Sequence, residues 1–166
     1  MALQQRLGVP WIATGDMLRS AIADGTELGK AVQRYVANGE LVPDEQMIAL
    51  IRQRLLQPDA AHGWIMDGYP RTAFQAEELD FLLDELNQQL SRVICLDVPV
   101  PVLIARSTAR ARPDDTADII QRRIDLYHER TTPILEYYDM KKCLVRVDGT
   151  QAVGDVQQAI LQTIGL

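Results

Sequence analysis

The sequence predicts an α/β domain in which helices pack on a parallel sheet, and three observations carry that expectation. Short apolar runs of strand length alternate with longer stretches of helical periodicity. Three of the four runs end in Asp followed by a turn or loop signal: Asp67-Gly68, Asp97-Val98-Pro99 and Asp148-Gly149, while the fourth runs straight into Thr14-Gly15-Asp16. No low-complexity linker and no internal repeat interrupts the chain, so residues 1–166 read as one domain.

The first strand is expected at Val9-Pro10-Trp11-Ile12-Ala13. Helical patterns follow over 15–24, stopped by Gly25, and over 26–38, capped by Thr26 and stopped by Gly39. A third covers 44–57, with Pro43 at its first position and Met47, Ile48, Leu50, Ile51 and Leu55 on one broad face. Gly63-Trp64-Ile65-Met66 is the second strand, and 72–89 the next helix, with Phe74, Leu79, Leu82, Leu83 and Leu86 at helical spacing. Val93-Ile94-Cys95-Leu96 is the third strand. A long pattern over 114–138 should kink at Pro133, since a proline inside a helix lacks the N–H that the ladder needs. Leu144-Val145-Arg146-Val147 and a helix over 152–164 close the order.

A chain of this length, 47% hydrophobic and 24% charged, can bury a core without disulfides, and that composition excludes disorder. Cys95 and Cys143 each sit in an apolar run with no Cys-x-x-Cys partner and read as small buried hydrophobes. The net charge of −6 argues against a nucleic-acid partner, because such affinity is mostly phosphate neutralisation. No run of about 18 apolar residues and no signal-peptide pattern occurs, so no membrane partner is expected and the cytoplasm is the default location. Lys appears only at Lys30, Lys141 and Lys142; every other basic residue is Arg.

In open parallel sheets, ligands gather outside the carboxyl ends of the strands, where the three Asp-Gly or Gly-Asp dipeptides fall. Each dipeptide is also an ordinary turn. Taken together, Thr14-Gly15-Asp16-Met17-Leu18-Arg19, Asp67-Gly68-Tyr69-Pro70-Arg71-Thr72 and Gln75 resemble the adenylate kinases, among the nucleoside monophosphate kinases. The resemblance continues through residues 24–30 and 39–45, Asp97-Val98-Pro99 and Val147-Asp148-Gly149-Thr150, and so covers essentially the whole chain.

The resemblance implies a P-loop-kinase-like fold with a helical AMP-binding insertion at 14–43 and a short lid at 107–115. It implies the reaction ATP + AMP ⇌ 2 ADP with Mg²⁺, and a monomer. Arg19 and Arg71 match arginines that hold the AMP phosphate, a role that suits the two parallel donors of a guanidinium. Thr14, Gly15, Gly68 and Gln75 match the AMP site, and Glu40, Val42 and Met47 the wall of its base pocket. In the related UMP-CMP kinases an Ala precedes the Gly-Asp and an Asn follows the Pro-Arg. Thr14 and Thr72 stand there instead, which favours adenine and leaves a UMP/CMP type as the alternative.

Arg106, Arg110, Arg112 and Arg123 match the arginines that clamp both phosphate chains and spread the charge of the transferring group, with Arg106, Arg110 and Thr150 on the ATP side. Read without the resemblance, these arginines would equally pair with Asp114, Asp115, Asp118 and Asp125 on a solvated face. Arg122 and Arg130 keep that plainer reading. Asp16 and Asp67 match carboxylates that organise hydrated Mg²⁺, or else cap the helices that follow them. Only Ala111 separates Arg110 from Arg112, the short-lid pattern, so structural zinc is not expected.

One departure stands out. The family opens with a central strand and a Gly-rich phosphate loop ending Gly-Lys-Gly-Thr, whereas Met1-Ala2-Leu3-Gln4-Gln5-Arg6-Leu7-Gly8 resembles the end of the helix that follows them. No Gly-x-x-x-x-Gly-Lys-[Ser/Thr] occurs in the 166 residues, so the first strand and phosphate loop read as absent. The neighbouring strands must then close together or leave backbone groups unpaired. Three readings stay open: a shortened chain of an active kinase, an AMP-binding paralogue without catalysis, or a kinase with a rearranged phosphate site.

Overall fold

A computed structural model of the chain describes residues 2–112 and 114–165. Met1, Leu166 and Pro113 lie outside the described residues, and Pro113 belongs to the stretch expected as the lid. Helix α1 (Ala2–Leu7) leads into β1 (Trp11–Ala13), then α2 (Thr14–Ala23), α3 (Glu27–Asn38) and α4 (Asp44–Leu55). Strand β2 (Ile65–Asp67) and α5 (Ala73–Glu85) follow, then β3 (Val93–Asp97), α6 (Val100–Arg110) and α7 (Ala117–Leu126). Helix α8 (Thr132–Met140), β4 (Leu144–Asp148) and α9 (Val153–Thr163) complete the chain.

Local chemistry explains most boundaries. Thr26 accepts from the Gly29 N–H at 3.0 Å and so caps α3, while Thr72 does the same for α5 through Gln75 N–H at 3.2 Å. Pro43 is the N-cap of α4 rather than its first helical residue. Helix α5 stops at Glu85, short of the expected 89, because Asn87 takes a left-handed conformation at φ 53°. The long pattern over 114–138 divides: Pro133 cannot donate to the ladder, and a wide helical turn over Tyr127–Thr131 absorbs the loss between α7 and α8. Helix α6, with Pro101 in its first turn, carries Arg106 and Arg110 four residues apart, on one face.

The strands pair in parallel, as a P-loop-kinase-like α/β fold requires, but as two separate two-stranded sheets, β1–β2 and β3–β4. Among the described residues no backbone hydrogen bond joins β2 to β3, so the two strand pairs do not close into one sheet. Helix packing unites the halves. One apolar cluster gathers Ile12, Val32, Ile51, Leu55, Leu79 and Leu82, and a second gathers Ala76, Ile134, Tyr138 and Cys143; α5 contributes to both. Both cysteines are buried, and burial pushes each thiol pKa up. Among the described residues no helix is long and apolar enough to cross a membrane.

Candidate functional site

Register places the strand ends side by side: Ala13 lies opposite Asp67 in one sheet and Asp97 opposite Asp148 in the other. At the first of these ends a cavity of about 350 Å³ opens, within the range of small-molecule sites. The turn after β1 brings Thr14, Gly15 and Arg19 to it, the turn after β2 brings Gly68, Arg71 and Gln75, and the α3–α4 connection brings Glu40, Val42 and Met47. Arg110, Arg112 and Arg123 reach it from α6, α7 and the loop between them.

Thr14 is 2% exposed and donates from Oγ1 to the Asp67 carbonyl at 3.2 Å, tying the two strand ends together. Gly68 must be glycine for two reasons. Its φ is +83°, and a Cβ there would stand 2.7 Å from Thr14 Oγ1 and 3.1 Å from an Arg71 guanidinium nitrogen. Gln75, also 2% exposed, accepts from the Arg71 N–H at 2.8 Å and donates to Asp44 Oδ1 at 2.7 Å.

The arginines differ in what they hold. Arg110 makes two parallel bonds to Asp115, at 2.9 and 2.8 Å, and Arg123 reaches Asp115 at 3.2 Å and Asp114 at 2.5 Å. Arg19 pairs with Asp16 and stands 4.0 Å from Asp114, while Arg112 lies 3.5 Å from Asp16. Arg71 donates from Nε to the Gly68 carbonyl at 2.8 Å, and among the described residues it forms no ion pair. Protein rings its guanidinium while the cavity leaves it open to solvent. Desolvation by the surrounding protein lowers its pKa, as does the charge of Arg123 and, more weakly, of Arg19, with Asp67 opposing. A guanidinium near two others, with no carboxylate at ion-pair distance among the described residues, is a site where an anion is stabilising.

A family model described as adenylate kinase matches residues 1–143. The chain belongs to the adenylate kinase family. It is 51% identical over 162 residues to adenylate kinase 2 of a Nostoc species, with 98% of this chain and 88% of the relative covered. It is 46% identical over 159 residues to adenylate kinase 2 of a Synechocystis species (96% and 88% covered) and 41% identical over 163 residues to an adenylate kinase of Nocardia farcinica (98% and 89%).

Of the three positions expected on the donor side, Arg110 lines the first cavity, while Arg106 and Thr150 lie elsewhere. Arg106 turns away from the first cavity and donates to the carbonyls of Gly149 (2.6 Å) and Thr150 (3.2 Å). Thr150 lines a second, more open cavity of about 490 Å³ with Asp97, Val98, Pro99, Arg146 and Asp148. Its hydroxyl donates to Asp148 at 2.6 Å. Arg122, read as a surface residue, bridges to the Asn38 carbonyl at 2.9 Å and so holds α7 against the end of α3.

Sequence reasoning did not assign Leu18 or Asp44 to the site. Leu18 lies four residues after Thr14 on the same face of α2, so helical periodicity could have found it. Asp44 carried no such signal, and Asp114 and Asp115 were expected only as arginine partners on a solvated face. The two aspartates do pair with the arginines, but their side chains are only 13% and 0% exposed, far from a solvated face.

Proposed function

We propose that this chain serves adenylate kinase-type phosphoryl transfer, ATP + AMP ⇌ 2 ADP, with the first cavity as the AMP site. The observation that carries the reading is Arg71, unpaired among the described residues and near Arg123 and Arg19, beside Gln75. Arg71 and Arg19 hold the AMP phosphate, whose oxygen is the nucleophile and needs no strong base. Arg110, Arg112 and Arg123, fixed in advance by Asp115, Asp114 and Asp16, offset charge on the transferring group without rearranging as it moves. Leu18, Val42 and Met47 give the base an apolar wall. Arg106 and Thr150 stand on the ATP side, at the ends of β3 and β4.

In this reading Mg²⁺ arrives with the nucleotide, held by substrate phosphates, waters and a carboxylate. Asp16 is committed to Arg19 and Arg112, whereas Asp67, exposed at the end of β2, makes no side-chain bond among the described residues. One carboxylate with substrate phosphates and waters suffices for Mg²⁺, and Asp67 fits that role. Bound there, the ion supplies charge neutralisation at the phosphates.

A second reading is AMP binding without transfer. Calorimetric titration with AMP, run beside a coupled assay for ADP, separates the two. Under either reading Arg71→Ala weakens AMP binding by about 10-fold or more, the worth of charge-assisted bonds to phosphate. ADP formation that Arg71→Ala abolishes supports transfer; AMP binding with no ADP supports the second reading. An unchanged AMP affinity in Arg71→Ala removes the cavity from both.

A further inference from the structure

We infer that Asp44 is a specificity-determining positioning residue: it locks the Gln75 side-chain amide in one orientation, so that the cavity takes a 6-aminopurine and rejects a 6-oxopurine. The inference rests on the reading of the cavity as an AMP site. Asp44 opens α4, and its Oδ1 accepts from Gln75 Nε2 at 2.7 Å and from Thr72 Oγ1 at 3.3 Å. Thr72 in turn accepts from the Gln75 backbone N–H at 3.2 Å, which closes a ring of three residues drawn from α4 and the start of α5. On the other side, Gln75 Oε1 accepts from the Arg71 backbone N–H at 2.8 Å.

Both neighbours dictate the same amide orientation. A carboxylate accepts only, so Nε2 must face Asp44; a backbone N–H donates only, so Oε1 must face Arg71. Turning the amide over would set oxygen against carboxylate and N–H against N–H. Nε2 retains one N–H and Oε1 one lone pair, and Gln75, 2% exposed, lines the cavity. Its unspent edge is therefore a donor and an acceptor in an order that cannot invert.

A 6-aminopurine offers an acceptor at N1 beside a donor at N6; a 6-oxopurine offers a donor at N1 beside an acceptor at O6. The two present the same shape with opposite hydrogen-bonding order. A free glutamine would accommodate both by rotating its amide. With the phosphate anchored on Arg71, the base cannot turn end for end, so only one order matches the locked edge. Asp44 touches no ligand in this scheme and acts through Gln75.

The test compares dissociation constants of AMP and IMP for the wild-type chain, Asp44→Asn and, as a milder change at a helix start, Asp44→Ser. Each substituted side chain can donate as well as accept, which removes the Asp44 lock and leaves the Arg71 N–H as the one bond that still opposes turning the amide. The wild type should prefer AMP, and the IMP-to-AMP ratio should fall about 10-fold in whichever variant melts cooperatively, the worth of one mismatched buried hydrogen bond. Damage to α4 alone would weaken both nucleotides together and leave the ratio unmoved. An unmoved ratio in a folded variant, with the wild type still selecting AMP, overturns the role of Asp44 alone. A wild type that binds neither nucleotide overturns the AMP-site reading and this inference with it.

Discussion

At the residue scale, Asp115 joins stability to the site. Its side chain is fully buried, yet it accepts from the guanidiniums of Arg110 and Arg123 and from the Arg112 N–H. The hydrogen bond from Arg110 holds its pKa below the ordinary carboxylate value, against the opposing effect of burial. A depressed folded pKa means that its stabilisation is present above the unfolded carboxylate value of about 3.9 and is lost as pH falls through the folded one. Asp115→Asn should therefore cost about 2 kcal/mol at pH 7 in urea denaturation, since it leaves two arginines short of a partner. The difference from wild type should narrow below about pH 4. A constant difference across that range would show that Asp115 acts through packing instead.

At the scale of elements, the close approach of α2 and α3 positions Arg19. Gly29 on α3 lies against the backbone of α2, where an added Cβ would fall 2.0 Å from the Ala21 carbonyl oxygen. Only a change in the spacing of the two helices could relieve that clash. Gly29→Ala should destabilise the chain by about 1–3 kcal/mol, the usual range for overpacking, despite the better helix propensity of alanine. Because α2 also carries Thr14 and Gly15, AMP affinity should fall with stability, which calorimetry on the variant would show. A variant of full stability and affinity would mean that the helix pair has room that the structure denies.

Across the whole molecule, strand-end residues were the most legible part of the sequence, because a parallel sheet places every Asp-turn end on one side. Gly68 and Arg71 could be assigned to one site from their position after β2. Pairing was not legible: periodicity marks a strand but not its partner, and nothing in Ile65-Met66-Asp67 or Val93-Ile94-Cys95 declares that they do not pair with each other. Helix α6 was obscured because Val100-Pro101-Val102-Leu103-Ile104 begins with a proline and an apolar run. The ring of Asp44, Thr72 and Gln75 is tertiary, linking residues about thirty positions apart, and no local pattern could expose it.

The two halves of the fold make distinct claims about ligands, and a thermal melt of the 166-residue chain reads both. A ligand that binds only the native state at 100 times its dissociation constant adds about 2.7 kcal/mol, or about 5–10 °C for a chain of this size. The central claim is that the cavity beside β1 and β2 holds AMP through Arg71. The chain should therefore melt cooperatively, with AMP raising Tm by that amount in the wild type and, at the same concentration, by about half of it or less in Arg71→Ala. A cooperative melt that saturating AMP leaves unmoved would contradict the claim.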